Sequence, residues 1–209
     1  PLYTGAWEEL IRQGQPISAI HNNCSGKHTF MRAASDHAGW DHDYRDPGHP
    51  LQQRIAAMME ELSGERPDAA IDGCGAPSWV LRLDSMARAW EQLARGSDPR
   101  VQRVAEAMMA NPRLTSGTGR LDLDVMRGRR EPLVVKIGAQ ALFCMALPER
   151  RIGIAVKVHS GSGPALGPAV AWALKTVAPG AWVEPAAWAW GALPNVIGKL
   201  VGELRVEPA

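Results

Sequence analysis

Leu133-Val134-Val135-Lys136-Ile137-Gly138-Ala139-Gln140-Ala141-Leu142-Phe143-Cys144-Met145-Ala146 reads as two apolar runs parted by a short break that contains Gly. Short runs rich in Val and Ile, bounded by turn residues, are strand signals, and a break of this length sets a hairpin. A third run over 151–158 follows at the same spacing. Three such runs in succession predict an antiparallel sheet in the last third of the chain. Upstream the period changes to that of a helix. Ile55, Met58, Met59 and Leu62 mark a helix over 51–62, and Met86, Ala87, Trp90 and Leu93 mark one over 84–94. Asp98-Pro99 opens another through Val101, Val104, Ala105 and Met108, and Asn111-Pro112 closes it. Helices over 7–12, 27–38, 121–126 and 163–177, with strands over 17–20, 69–71 and 198–206, complete the pattern. The class is α+β, a mainly antiparallel sheet with a helical region, expected as a single domain over 1–209.

The chain has 209 residues, 45% hydrophobic and 22% charged, with a net charge of +1. That balance predicts a soluble globular protein with a full core. Lys and Arg are scattered, so nothing points to nucleic acid or an anionic membrane surface. No apolar run approaches the roughly 18 residues of a membrane span. The most apolar region, 181–193, is interrupted by Glu184 and Pro185. Three cysteines, Cys24, Cys74 and Cys144, make no disulfide framework, and a reducing, cytoplasmic setting is expected. The chain begins at Pro1, which predicts a trimmed chain or a piece of something longer.

Chemistry concentrates in three places. His21-Asn22-Asn23-Cys24-Ser25-Gly26-Lys27-His28 packs a thiol, a hydroxyl, an amine and two imidazoles between the predicted strand at 17–20 and the helix that follows. Asp72-Gly73-Cys74-Gly75-Ala76-Pro77 is a second thiol-bearing turn, and Lys136 sits inside an apolar strand. A phosphate-binding loop is disfavoured: it needs Gly where His21 stands and Ser or Thr where His28 stands. Cys24 and Cys74, with His21 and His28 nearby, suit a soft metal such as zinc. Cys24 and Lys27 are three apart, on one helix face, so a thiol nucleophile with a lysine base is a second possibility, and Ser25 with Lys27 a weaker one. Lys136, flanked by Val135 and Ile137, is the better base, with its ammonium partly desolvated or paired, and Gly138 beside it suggests a close backbone approach. Cys144 between Phe143 and Met145 reads as a core residue, His37, His42 and His49 as solvated, and the eight Trp as core.

These stretches, with the run from Asn111-Pro112 through Gly117-Thr118-Gly119-Arg120 and with Lys136-Ile137-Gly138-Ala139, resemble the successive signatures of the asparaginase II family, the Rhizobium-type (class 3) L-asparaginases. The resemblance runs from about His21 to the C-terminus. It implies a serine β-lactamase-like fold with its N-terminal part missing, hydrolysis of L-asparagine to L-aspartate and ammonia by serine–lysine chemistry, and a homodimer. It also implies that Lys136 is catalytic, that Cys24, Lys27 and Cys74 bind zinc, and that Asp72 supports that site. The chain departs from the pattern in three respects. It holds no Ser-x-x-Lys, Gln140 stands where the family has Glu, and His159-Ser160-Gly161-Ser162 replaces an acidic loop. The alternative reading is therefore a catalytically inactive homologue that binds metal or amino acid only.

Overall fold

The three strand-like runs fold as an antiparallel sheet of three strands in a computed structural model that describes residues 4–183 and 191–207. The elements in chain order are α1 (Thr4–Arg12), a 3-10 turn (Ala19–His21), α2 (Ser25–Ala38), α3 (Pro50–Ser63), β1 (Asp68–Ile71), β2 (Pro77–Val80), α4 (Leu83–Arg95) and α5 (Pro99–Ala110). They continue with α6 (Pro112–Ser116), α7 (Leu121–Arg127), β3 (Val134–Gly138), β4 (Leu142–Leu147), β5 (Ile152–Lys157), α8 (Gly163–Val177), β6 (Ala192–Pro194) and β7 (Leu200–Glu203). The class is α+β, every strand pair being antiparallel. The chain divides into two compact units, Pro1–Glu61 with Arg66–Val80, and Leu62–Glu65 with Leu81–Ala209. Among the described residues no helix is long and apolar enough to cross a membrane.

In the second unit the sheet order is β3-β4-β5, with Lys136 opposite Cys144 and Val135 opposite Met145. Alternate residues of a strand face opposite sides, and here both sides are covered. Val135, Phe143, Met145 and Ile154 join one cluster with Val125 and Met126 of α7 and Val170 and Leu174 of α8. Val134 and Ala146 join the other with Ala94 of α4 and Ala105 of α5, beside Trp90 and Met108. Burial on both sides explains why these strands read as continuous apolar runs rather than as an alternation. Gly153 admits α4: a Cβ there would lie 2.1 Å from the Ala87 carbonyl oxygen and 2.2 Å from the Glu91 nitrogen.

The first unit differs more from expectation. Residues 17–20 form no strand. They are irregular and then turn through Ala19–His21, with Ile17 and Ile20 both exposed, because no strand is there to pair with them. β1 pairs instead with β2, a four-residue strand that opens with Pro77. His49 is buried rather than solvated: its Nε2 meets the Asp41 carbonyl oxygen at 2.8 Å and its Nδ1 accepts from the Leu51 N–H at 3.1 Å. His37 and His42 are exposed as expected. The tryptophans are not generally core residues. Trp182 is buried, Trp7 and Trp172 are exposed, Trp40, Trp79 and Trp90 lie between, and Trp188 and Trp190 fall outside the described residues, as does the break at Glu184 and Pro185.

Candidate functional site

The first unit gathers the two thiol-bearing stretches. Asn22 Oδ1 accepts the Cys24 N–H at 2.8 Å, an Asx turn that sets Cys24 as the residue capping α2. Lys27 then follows one turn into the helix, on the same face. Across from it, Asp72 builds the turn between β1 and β2. Its Oδ1 accepts the backbone N–H of Cys74 at 2.8 Å and of Ala76 at 3.2 Å, while Gly75 takes a φ of 81° that other residues would resist. The Cys74 thiol donates to the same oxygen at 2.9 Å, and Lys27 Nζ donates to Asp72 Oδ2 at 2.5 Å. Cys24 and Lys27 both act on the Cys74 thiol, Cys24 pushing its titration up and Lys27 down. The predicted set Cys24, Lys27, Asp72 and Cys74 is therefore one cluster.

His28 belongs beside it. Its Nε2 lies 3.0 Å from Cys74 Sγ and its Nδ1 3.0 Å from the Tyr44 hydroxyl. Sequence reading noted His28 as a nearby imidazole but gave no part to Tyr44, which lies beyond α2 in an unremarkable Asp-rich turn. His21 turns away, its Nδ1 accepting the Ser18 N–H at 3.1 Å. Ser25, His28, Tyr44, Arg45 and Cys74 line a cavity of about 410 Å³.

The electrostatics follow from this packing. Burial works against the charge of Lys27, but hydrogen bonds to Asp72 and Cys74 and the Asp72 charge outweigh it and raise the amine above its ordinary value. Burial likewise opposes the Asp72 charge, and the Cys74 thiol, Lys27 and the Cys74 N–H overcome it, holding the carboxyl well below the usual carboxylate range. Burial first, and then the hydrogen bond to Asp72, push the Cys74 thiol up. A lysine so protonated is a poor base, which counts against Lys27 activating a Cys24 nucleophile. Cys144, buried as expected, is pushed by burial up to about 12.

Asp72→Ala should lower the melting temperature, because it removes both the loop acceptor and the partner of Lys27. The sign with pH is fixed by the depressed carboxyl. Its contribution is fully present above the unfolded value of about 3.9 and fades as pH falls toward the folded one. The gap between melts of wild type and variant should therefore hold from pH 7 to about pH 4 and narrow from there to pH 3, with the greater part still open at pH 3. A constant gap would assign the effect to the turn alone.

In the second unit Lys136 is held rather than free. Its Nζ donates to Asp122 Oδ2 at 3.3 Å and to the Ile137 carbonyl oxygen at 3.2 Å. The Lys136 side chain is 42% exposed and that of Asp122 0%. Asp122, in the first turn of α7, escaped sequence reading because an acidic residue there looks like ordinary helix-start chemistry. The tightness at Gly138 comes from its own hairpin, where a Cβ would sit 3.1 Å from the Leu142 side chain. Beyond it Gln140 and Ala141 both take positive φ, at 53° and 56°, and Lys157 Nζ donates to the Gln140 carbonyl oxygen at 2.7 Å. Gln140 thus serves the turn through its backbone.

Donor chemistry at the thiol cluster fits zinc: it offers two thiols and an amine, with Cys24 and Lys27 both acting on the Cys74 thiol. Among the described residues no three His, Cys, Asp or Glu are arranged around a metal position, the third donor here being a lysine. Lys27 binds a metal only after giving up its proton and its bond to Asp72.

Compared with known proteins, residues 1–206 match the family model described as L-asparaginase II. The match extends upstream of the motifs, over the first 20 residues as well. No curated protein matches the chain.

Proposed function

The chain belongs to the L-asparaginase II family, and from that membership we propose that it hydrolyses L-asparagine to L-aspartate and ammonia on a serine β-lactamase-like scaffold. The observation that carries the reading is Lys136. It occupies the family's Lys-x-Gly-Ala strand, keeps its stem half exposed, and has its amine held at a strand edge. Lys136 accepts the proton of a serine hydroxyl as that oxygen bonds to the side-chain amide carbon. The proton then passes to the departing nitrogen, ammonia leaves, and an acyl-enzyme remains. Water, deprotonated in the same way, attacks the ester carbon and releases aspartate. No serine of this chain stands in a Ser-x-x-Lys, and none is assigned as the nucleophile.

Zinc is part of the proposal, held by Cys24, Lys27 and Cys74 with Asp72 in support. When bound it would supply positive charge at the thiol cluster. The Asp72 carboxylate holds the Cys74 turn closed and fixes the Cys74 sulfur.

A second reading rests on the missing Ser-x-x-Lys: a homologue that binds metal or amino acid without turnover. Ammonia release from L-asparagine and L-glutamine, measured with and without zinc, separates the two. Release from asparagine in excess of glutamine is the expected result. Stoichiometric zinc binding with no ammonia from either amide would leave only the second reading.

A further inference from the structure

Asp122 lies where the chain otherwise places hydrocarbon. Its neighbours Leu123, Val125 and Met126 are at most 1% exposed, and Asp122 itself is at 0%. Taking a carboxylate out of water costs several kcal/mol unless its oxygens are paired. Here the pairing is incomplete. Oδ2 accepts the Ile137 N–H and Lys136 Nζ, each at 3.3 Å, whereas Oδ1 is buried with no hydrogen-bond partner among the described residues. A leucine or methionine would fill the space at lower cost, so packing alone does not account for Asp122. An ordinary strand lysine extends its amine into water. This one folds back between Asp122 and the carbonyl oxygen of Ile137.

We propose that Asp122 is the positioning residue for Lys136, holding its amine at the edge of β3 in one rotamer so that the nitrogen faces the reacting hydroxyl. This rests on the reading of Lys136 as the base. Asp122 touches no substrate: it acts through Lys136, and its bond to the Ile137 N–H locks the carboxylate to the same strand.

The test compares wild type with Asp122→Asn, which keeps the shape and removes the charge. Two readouts are taken on the folded proteins. Turnover of L-asparagine should show kcat lowered by about 100-fold, the cost of a misplaced catalytic group, with KM changed by less than about threefold. Acetylation of Lys136 by acetic anhydride, followed by mass spectrometry relative to exposed Lys199, should be roughly threefold or more faster in the variant, because the anion that ties the amine is gone. An unchanged kcat in the variant of an active wild type overturns the proposal, as does equal acetylation of Lys136 in the two proteins. A wild type without turnover defeats the asparaginase reading itself, and acetylation then decides the Asp122–Lys136 link alone. Should the variant not fold, wild type suffices: Lys136 acetylated more slowly than Lys199 supports the tether, and equal rates overturn it.

Discussion

Lys136→Met should lower kcat for ammonia release by about 10²- to 10⁴-fold, the range that a positioned acid–base group contributes. Methionine keeps most of the length of lysine and its apolar stem, so β3 retains its place between Val135 and Ile137. What it lacks is the amine proposed to move the proton. The change also leaves Asp122 with a single donor, the Ile137 N–H. A buried carboxylate deprived of its partner costs about 1–3 kcal/mol, so the variant should melt earlier than wild type. Adding Asp122→Leu should return much of that stability, since removing both partners of a buried pair is often nearly neutral. It should return none of the activity. This split separates loss of chemistry from loss of fold. Turnover within tenfold of wild type in Lys136→Met would remove lysine from the proposed mechanism.

The sheet was legible in the sequence because its cause is local. Strands buried on both faces must be apolar throughout, and the runs around Val134, Phe143 and Ile154 match β3, β4 and β5 to within one or two residues. The strand expected at 17–20 failed for the complementary reason. Ile17 and Ile20 supply β-branched residues, but a strand requires a partner, and none is encoded nearby. β2 was missed because four residues opening with Pro77 carry too little periodicity to notice. The thiol cluster was largely readable, since Cys24 with Lys27 and Asp72 with Cys74 are local pairs on a helix start and a tight turn. Their meeting is tertiary, and so is the arrival of Tyr44 behind His28. Asp122 was invisible because its burial is decided by α7 packing against the sheet, which no spacing in Leu121-Asp122-Leu123 announces. The reading of His49 as solvated failed in the same way. A polar turn composition says nothing of the two backbone partners that let a histidine be buried there.

Zinc should bind at one equivalent per chain, and Cys74→Ala should weaken it by more than the roughly 10- to 100-fold that loss of an outer-shell partner costs. Cys74 is the centre of the cluster, hydrogen-bonded to His28 and Asp72 and acted on by Cys24 and Lys27. Its removal leaves Cys24 without a second sulfur. Affinity should also rise with pH. Zinc needs thiolates and a neutral amine, while the folded protein holds the protons of Lys27 and Cys74 more tightly than usual. Each proton displaced contributes about a tenfold change in affinity per pH unit below the value at which it leaves. Titration by calorimetry between pH 6 and pH 9, in two buffers of different ionisation enthalpy, reads both the slope and the number of protons released. A saturating excess of about 100 times Kd should stabilise wild type by about 2.7 kcal/mol, and Cys74→Ala should gain nothing at that concentration. An affinity independent of pH, or retained in Cys74→Ala, would place the metal away from these sulfurs. The cluster would then be a structural knot in which Asp72 holds the β1–β2 turn against α2.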